Sequence, residues 1–203
     1  MQHKEMLQSL NDELKKRNIH LKITCVGGFV LELHGMRFTQ DIDAFYDETP
    51  EIRQLIKKVG DSFGIDSSNE LWLNHSVQNL NESPPSEICE DVYRFSHLSV
   101  AVPPLEYIAG MKIKSGRKQD VMDAAMIITA LHIDSPQHFM DMMHKYGLSD
   151  LDNAVLMDAF GMAYGMEWME KYYREYESEI LSSTFSNSIP SKMHSHNVDG
   201  NSY

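Results

Sequence analysis

Two aspartates one residue apart, Asp41 and Asp43, follow a pair of glycines, Gly27 and Gly28, with twelve residues between Gly28 and Asp41. Each feature has a chemical use. Adjacent glycines after a strand let the backbone approach a ligand closely, because no Cβ stands in the way. A helix beginning there offers free N–H groups and the positive end of its dipole, which suits phosphate oxygens. On a strand, residues spaced by two share a face, so both carboxylates point the same way. Two hard oxygen ligands side by side suit Mg²⁺ (or Mn²⁺), which binds through one or two carboxylates plus substrate phosphates. A lone Gly-Gly reads as a tight turn, and a lone Asp-x-Asp reads as a cap or a solvated pair. The combination within about twenty residues carries more. Carboxylates at the start of an otherwise apolar strand destabilise the fold unless a cation meets them.

A second cluster lies downstream, in Lys112-Ile-Lys-Ser-Gly-Arg117-Lys-Gln-Asp120-Val-Met-Asp123. Lys112, Lys114, Arg117 and Lys118 are the densest basic group in a chain of net charge -12. Read alone, this is a solvated helix end whose cations pair with Asp120 and Asp123. Read with the first motif, it is a set of cations that neutralises a triphosphate and its leaving group.

The Gly-Gly, the spacer and the Asp-x-Asp resemble the signature of the nucleotidyltransferase superfamily. The whole segment from Gly27 to Asp43 looks most like its AbiEii-like branch, which includes toxins of bacterial toxin–antitoxin systems. Arg37 and Thr39 fit that branch ahead of the Asp-x-Asp. So do Lys112, Arg117, Asp120 and Asp123 in the second motif. The resemblance implies an α+β fold, with a nucleotidyltransferase-like small mixed sheet flanked by helices and followed by a C-terminal helical region. It implies Asp41 and Asp43 as metal ligands, and Asp41, Asp43, Lys112 and Asp120 as catalytic residues. Gly27, Gly28, Arg37, Thr39 and Arg117 would bind the nucleotide. The implied partners are an NTP, an RNA or protein acceptor, and an antitoxin protein. One departure stands out: the strand Leu98–Val102 lacks the third carboxylate that many superfamily members carry there. Glu90 and Asp91 could replace it only by another route.

The elements that would position these residues follow from periodicity. Met6, Leu7, Leu10 and Leu14 predict an amphipathic helix over residues 3–18. Leu21–Val26 reads as a strand entering the glycine turn, and Phe29, Val30 and Leu33 as a short helix closed by Gly35. Ile42–Tyr46 is a second strand, with Ile42 facing the core. Pro50 opens a helix to about Phe63. Residues 66–90 read as a polar loop. Val92–Phe95 and Leu98–Val102 read as a hairpin. Helices are then expected at 104–114, 117–132, 136–145 and 150–179, with Ser135-Pro136 as one N-terminus and Ser149 with Asp152 as a capping box at another. The chain thus divides into an α/β core over 1–103, a helical region over 104–180 that completes the site, and a disordered tail over 181–203.

Bulk properties bound the rest. Hydrophobic residues make up 42% of 203, enough for a buried core. The acidic balance excludes general nucleic-acid binding except through a local basic patch. Two cysteines imply no disulfide framework, and Cys25 reads as a small core residue. No run approaches the ~20 apolar residues of a membrane span, and Met1–Asn18 lacks a signal peptide's apolar stretch, so a cytoplasmic protein with no membrane partner is expected. Ten histidines show no metal-binding helix pair. The methionines from Met140 to Met169 read as core packing, or as an adaptable partner groove. Trp168, Tyr172, Tyr173 and Tyr176 bury against the domain or another chain. Two readings of other classes remain beside the enzyme: a nucleotide- or partner-binding module with little turnover, and an interaction protein built on the helical half.

Overall fold

The computed structural model describes residues 2–65, 71–79 and 82–175. Helix α1 (Gln2–Arg17) forms because Met6, Leu7, Leu10 and Leu14 fall on one face, and all four are buried. It leads into β1 (Leu21–Val26), the short helix α2 (Gly28–Leu33) and β2 (Ile42–Phe45). Helix α3 (Pro50–Ser62) starts where Thr49 Oγ1 accepts the Ile52 N–H at 3.2 Å and Pro50 occupies the first turn. Strand β3 is only Leu73–Asn74. Strands β4 (Glu90–Arg94) and β5 (Leu98–Val102) form the expected antiparallel hairpin.

The five strands lie in the order β3-β2-β1-β5-β4. β1 is central, antiparallel to β2 and parallel to β5, so the sheet is mixed. The register places Val26 opposite Asp43, which sets the end of β1 beside the second aspartate. Helix α1 packs on α3 and β5, and α2 packs on β1, β2 and α4. Buried Asn11 on α1 accepts the His97 N–H at 2.9 Å, which ties the helix to the β4–β5 turn.

Helices α4 (Leu105–Ser115), α5 (Lys118–Ala130), α6 (Pro136–Lys145) and α7 (Asn153–Tyr164) follow. The turn between α4 and α5 uses Gly116 at φ 65, and its N–H is donated to the Lys112 carbonyl at 3.2 Å. Ser135 caps α6 as expected, accepting the His138 N–H at 3.3 Å. Gly110 on α4 is required by close packing, because a Cβ there would collide with Met143 Sδ of α6. Among the described residues, no helix is long and apolar enough to cross a membrane.

Four expectations are corrected. The stretch 66–90 contains β3 and two 3₁₀ turns, Ser76–Asn79 and Ser86–Ile88. The helix expected over 150–179 is broken at Gly165, φ 87, and resumes over 166–175; Tyr176 and the tail lie outside the described residues. Its cap is Asp152, whose carboxylate accepts the N–H groups of Ala154 at 2.8 Å and Val155 at 3.3 Å, rather than Ser149. Of the methionines, Met143 is buried whereas Met162 and Met166 are exposed, so core packing describes only part of the set.

Among the described residues, one compact unit ends at Ala163 and a second begins at Tyr164. In the latter, Trp168 stacks on Tyr172 with ring centroids 5.2 Å apart.

Candidate active site

The end of β1, the loop before β2 and the α4–α5 turn enclose a cleft of about 300 Å³. One wall carries Val26, Gly27, Asp41 and Asp43, with Ser76 and Val77 beside them. The other carries Ile108, Met111, Lys112 and Ser115 from α4, Arg117 just ahead of α5, and Asp120 within α5. Both sequence motifs therefore face one space.

On the first wall, Gly27 has φ 63 and ψ -137, a conformation that side chains with a Cβ rarely adopt. A Cβ at this position would stand 2.9 Å from Asp43 Oδ2. The missing side chain is what lets the Asp43 carboxylate lie against the backbone corner. Gly27→Ala is expected to lower stability by about 1–3 kcal/mol through backbone strain and to displace Asp43. Urea unfolding checks this, and a stability unchanged within about 0.5 kcal/mol would contradict the strain argument.

Gly28 plays a different part. A Cβ there would meet Thr39 Oγ1 at 2.8 Å and Arg37 Nη2 at 3.2 Å, so Gly28 seats the loop before β2 and does not itself line the cleft. Thr39 donates its hydroxyl to Asp41 Oδ1 at 3.1 Å and its N–H to Glu32 Oε2 at 3.1 Å. Burial works against the Glu32 charge, but hydrogen bonds from His3 and the Thr39 N–H outweigh it and hold the carboxyl below its usual range. Asp41 Oδ2 accepts from Asn74 Nδ2 at 3.4 Å, and buried Asn74 is in turn fixed by Ser76. Asp41 is thus oriented from two sides by neutral donors.

The second wall is an ion network. Lys112, buried on α4, donates to Asp120 Oδ1 and lies 2.9 Å from Asp123 Oδ2. Ser115 Oγ donates to Asp120 Oδ2 at 2.6 Å. Asp123, at 0% exposure, also lies 3.1 Å from Arg37 Nε. Arg37 Nε and Asp123 Oδ2 make no aligned hydrogen bond, so these two contacts act through charge. Arg117 is mostly exposed, with Nε 4.0 Å from Asp120 Oδ2. Burial opposes ionisation of Asp120, but the hydrogen bonds from Lys112 and Ser115 and the charges of Lys112 and Arg117 overcome it, leaving the carboxyl below its usual range.

The structure gathers Gly27, Asp41, Asp43, Lys112, Arg117 and Asp120 on the cleft. Gly28, Arg37 and Thr39 stand behind them as supports. Glu90 and Asp91 are elsewhere: Glu90 lines a separate cavity, and Asp91 pairs with Arg94 at 2.6 Å. Among the described residues, no group of three His, Cys, Asp or Glu is placed to hold a metal ion. Sequence reasoning missed Asn74 and Glu32. Asn74 sits on a two-residue strand with no periodicity to read, and Glu32 looks like an ordinary acid of α2.

A family model described as "Nucleotidyltransferase of unknown function (DUF6036)" matches residues 3–172. The chain belongs to this family. The matched span of this DUF6036 protein includes both walls of the cleft and both motifs. No curated protein and no solved structure matches the chain.

Proposed function

We propose that this protein transfers a nucleotidyl group from a metal-bound NTP to a hydroxyl acceptor, using the Gly27–Asp43 wall and the Lys112–Asp120 wall as its two jaws. The observation that carries the reading is Asp41 and Asp43 sharing one cleft with a glycine corner and with cations opposite. The residues fit a divalent cation: the donors are hard carboxylate oxygens, and Gly27 leaves Asp43 the room a Cβ would fill. The local charge argues the same way, since Asp41, Asp43, Asp120 and Asp123 outnumber Arg37, Lys112 and Arg117. Bound there, Mg²⁺ (or Mn²⁺) would neutralise phosphate charge and orient the triphosphate.

The chain's own residues supply the rest. Asp41 and Asp43 accept the cation and draw the proton from the acceptor hydroxyl. Its oxygen forms a bond to the α-phosphorus as the bond to diphosphate breaks. Gly27 gives the phosphates close backbone contact, with Gly28 and Thr39 holding the loop in register. Lys112 and Arg117 neutralise the departing diphosphate, and Asp120 orients Lys112. Positioning and charge stabilisation of this kind account for most of the catalysis of phosphoryl and nucleotidyl transfer. The resemblance to the AbiEii-like branch suggests an RNA acceptor such as a tRNA end, or a protein side chain, and a toxin held in check by an antitoxin.

A second reading draws support from Lys112, which is engaged by both Asp120 and Asp123. A lysine so neutralised suits a module that binds nucleotide with little turnover. Incubating the protein with each labelled NTP and total cell RNA, with Mg²⁺, Mn²⁺ or EDTA, separates the two. Metal-dependent labelling of a macromolecule, abolished by EDTA, is the expected result. Metal-dependent binding without product over hours would favour the module, and no binding at all would sink both.

A further inference from the structure

Among the described large hydrophobic residues, Phe38 is the most exposed, at 88%, while Phe29, Phe45, Phe139 and Phe160 are buried. An aromatic ring left in water costs apolar burial that the rest of this fold obtains. Its position makes the exposure informative, because Phe38 lies three residues before Asp41, in the loop that Gly28 seats.

The loop is held on both sides of the ring. Arg37 Nη1 donates to the Phe38 carbonyl at 3.4 Å while Arg37 Nε faces Asp123 at 3.1 Å. On the other side, the Thr39 N–H is fixed to Glu32 and its hydroxyl to Asp41. Phe38 is therefore presented by an anchored backbone. The anchor runs to Asp123 on α5, the helix that follows Arg117, and Lys114, Arg117 and Lys118 around the α4–α5 turn are exposed cations. A flat apolar ring three residues from an aspartate of the cleft, with exposed cations on the connected element, matches what an unpaired nucleotide offers: a base face and phosphates.

We propose that Phe38 is a stacking platform for an unpaired nucleobase beside the cleft, supplied either by the bound triphosphate or by the end of an RNA acceptor strand. This rests on the nucleotidyl-transfer reading for why a nucleotide is present. The ring positions a ligand, so its loss is expected to raise KM with kcat at saturation little changed.

The test is equilibrium binding to the full chain, without turnover, for Phe38→Ala and Phe38→Tyr. The probes are the four NTPs, inorganic tripolyphosphate and a short single-stranded RNA. If the base belongs to the triphosphate, Phe38→Ala weakens NTP binding by about tenfold or more while tripolyphosphate binding is unchanged. If it belongs to the acceptor, the RNA affinity falls by a similar factor and NTP affinity stays put. Phe38→Tyr, which keeps the ring, restores either loss. An exposed ring contributes little to folding, so thermal unfolding of both variants should match that of the parent chain. Unchanged affinity for NTPs and RNA in Phe38→Ala overturns the proposal and assigns the ring to a protein contact. A parent chain that binds neither probe overturns it too. Binding without labelled product would instead refute the transfer reading and leave the platform standing.

Discussion

Asp41→Ala and Asp43→Ala are each expected to lower the rate of nucleotidyl transfer by at least about 10³-fold. Both side chains are half-buried on the same wall, and their charge is the only anionic feature of that wall able to meet a cation carrying phosphates. Folding should survive. Asp41 is held by neutral donors: Thr39 can turn to solvent when the carboxylate is removed, and the side-chain oxygen of Asn74 stays bound by Ser76. The sharper variant is Asp43→Asn, which keeps the shape beside Gly27 and deletes the charge. Label transfer and urea unfolding, measured on the same preparations, decide the matter. A variant that folds as the parent does and still transfers at a tenth of the parental rate or better removes these residues from the chemistry.

Lys112→Met is expected to lower stability by about 3 kcal/mol. The methionine fills the stem's volume, but it leaves Asp123 fully buried with Arg37 as its one cation and the Gln119 amide as its donor, and leaves Asp120 without its closest donor. For a chain of this size that corresponds to a fall in melting temperature of about 6–12 °C. Lys112→Arg is no substitute, because a planar fork does not fit between two carboxylates arranged for a point charge. Adding Asp120→Asn to Lys112→Met should recover part of the loss, and the double-mutant cycle gives the coupling directly. The network also has a pH signature. Because the Asp120 carboxyl is held low in the fold, its contribution is complete above the unfolded value of 3.8 and is lost as pH falls through the lower folded value. The stability gap between parent and Lys112→Met should therefore narrow on acidification below about pH 4. A gap under about 0.5 kcal/mol at neutral pH would show that the buried network is energetically idle.

Much of this was legible in the chain. Met6, Leu7, Leu10 and Leu14 define α1 because burial and helical period coincide, and Ser135-Pro136 and Pro50 declare helix starts through local backbone constraints. The Asp-x-Asp spacing places both acids on one wall because strand geometry is strictly alternating. What escaped depends on contacts distant in sequence. β3 exists through its pairing of Leu73 with Ile42 and Asn74 with Asp43, and two residues carry no period. The support of Asp41 by Asn74, and of Arg37 by Asp123, spans 33 and 86 positions, a relation that spacing does not encode. Gly28 was read as a phosphate cradle because glycine permits close approach, yet what approaches it is the protein's own Thr39.

The pairing of Val26 with Asp43 across β1 and β2 works as a ruler. An inserted or deleted residue inside β2 would turn every later side chain of that strand to the opposite face, carrying Asp43 into the core. The same change between Gly35 and Met36 leaves the ruler untouched; it costs the Met36 N–H bond to the Leu31 carbonyl and a loop-closure entropy that grows slowly with length. Length is thus far cheaper to change ahead of Arg37 than from Ile42 to Phe45, where one residue more or less reverses the strand's faces.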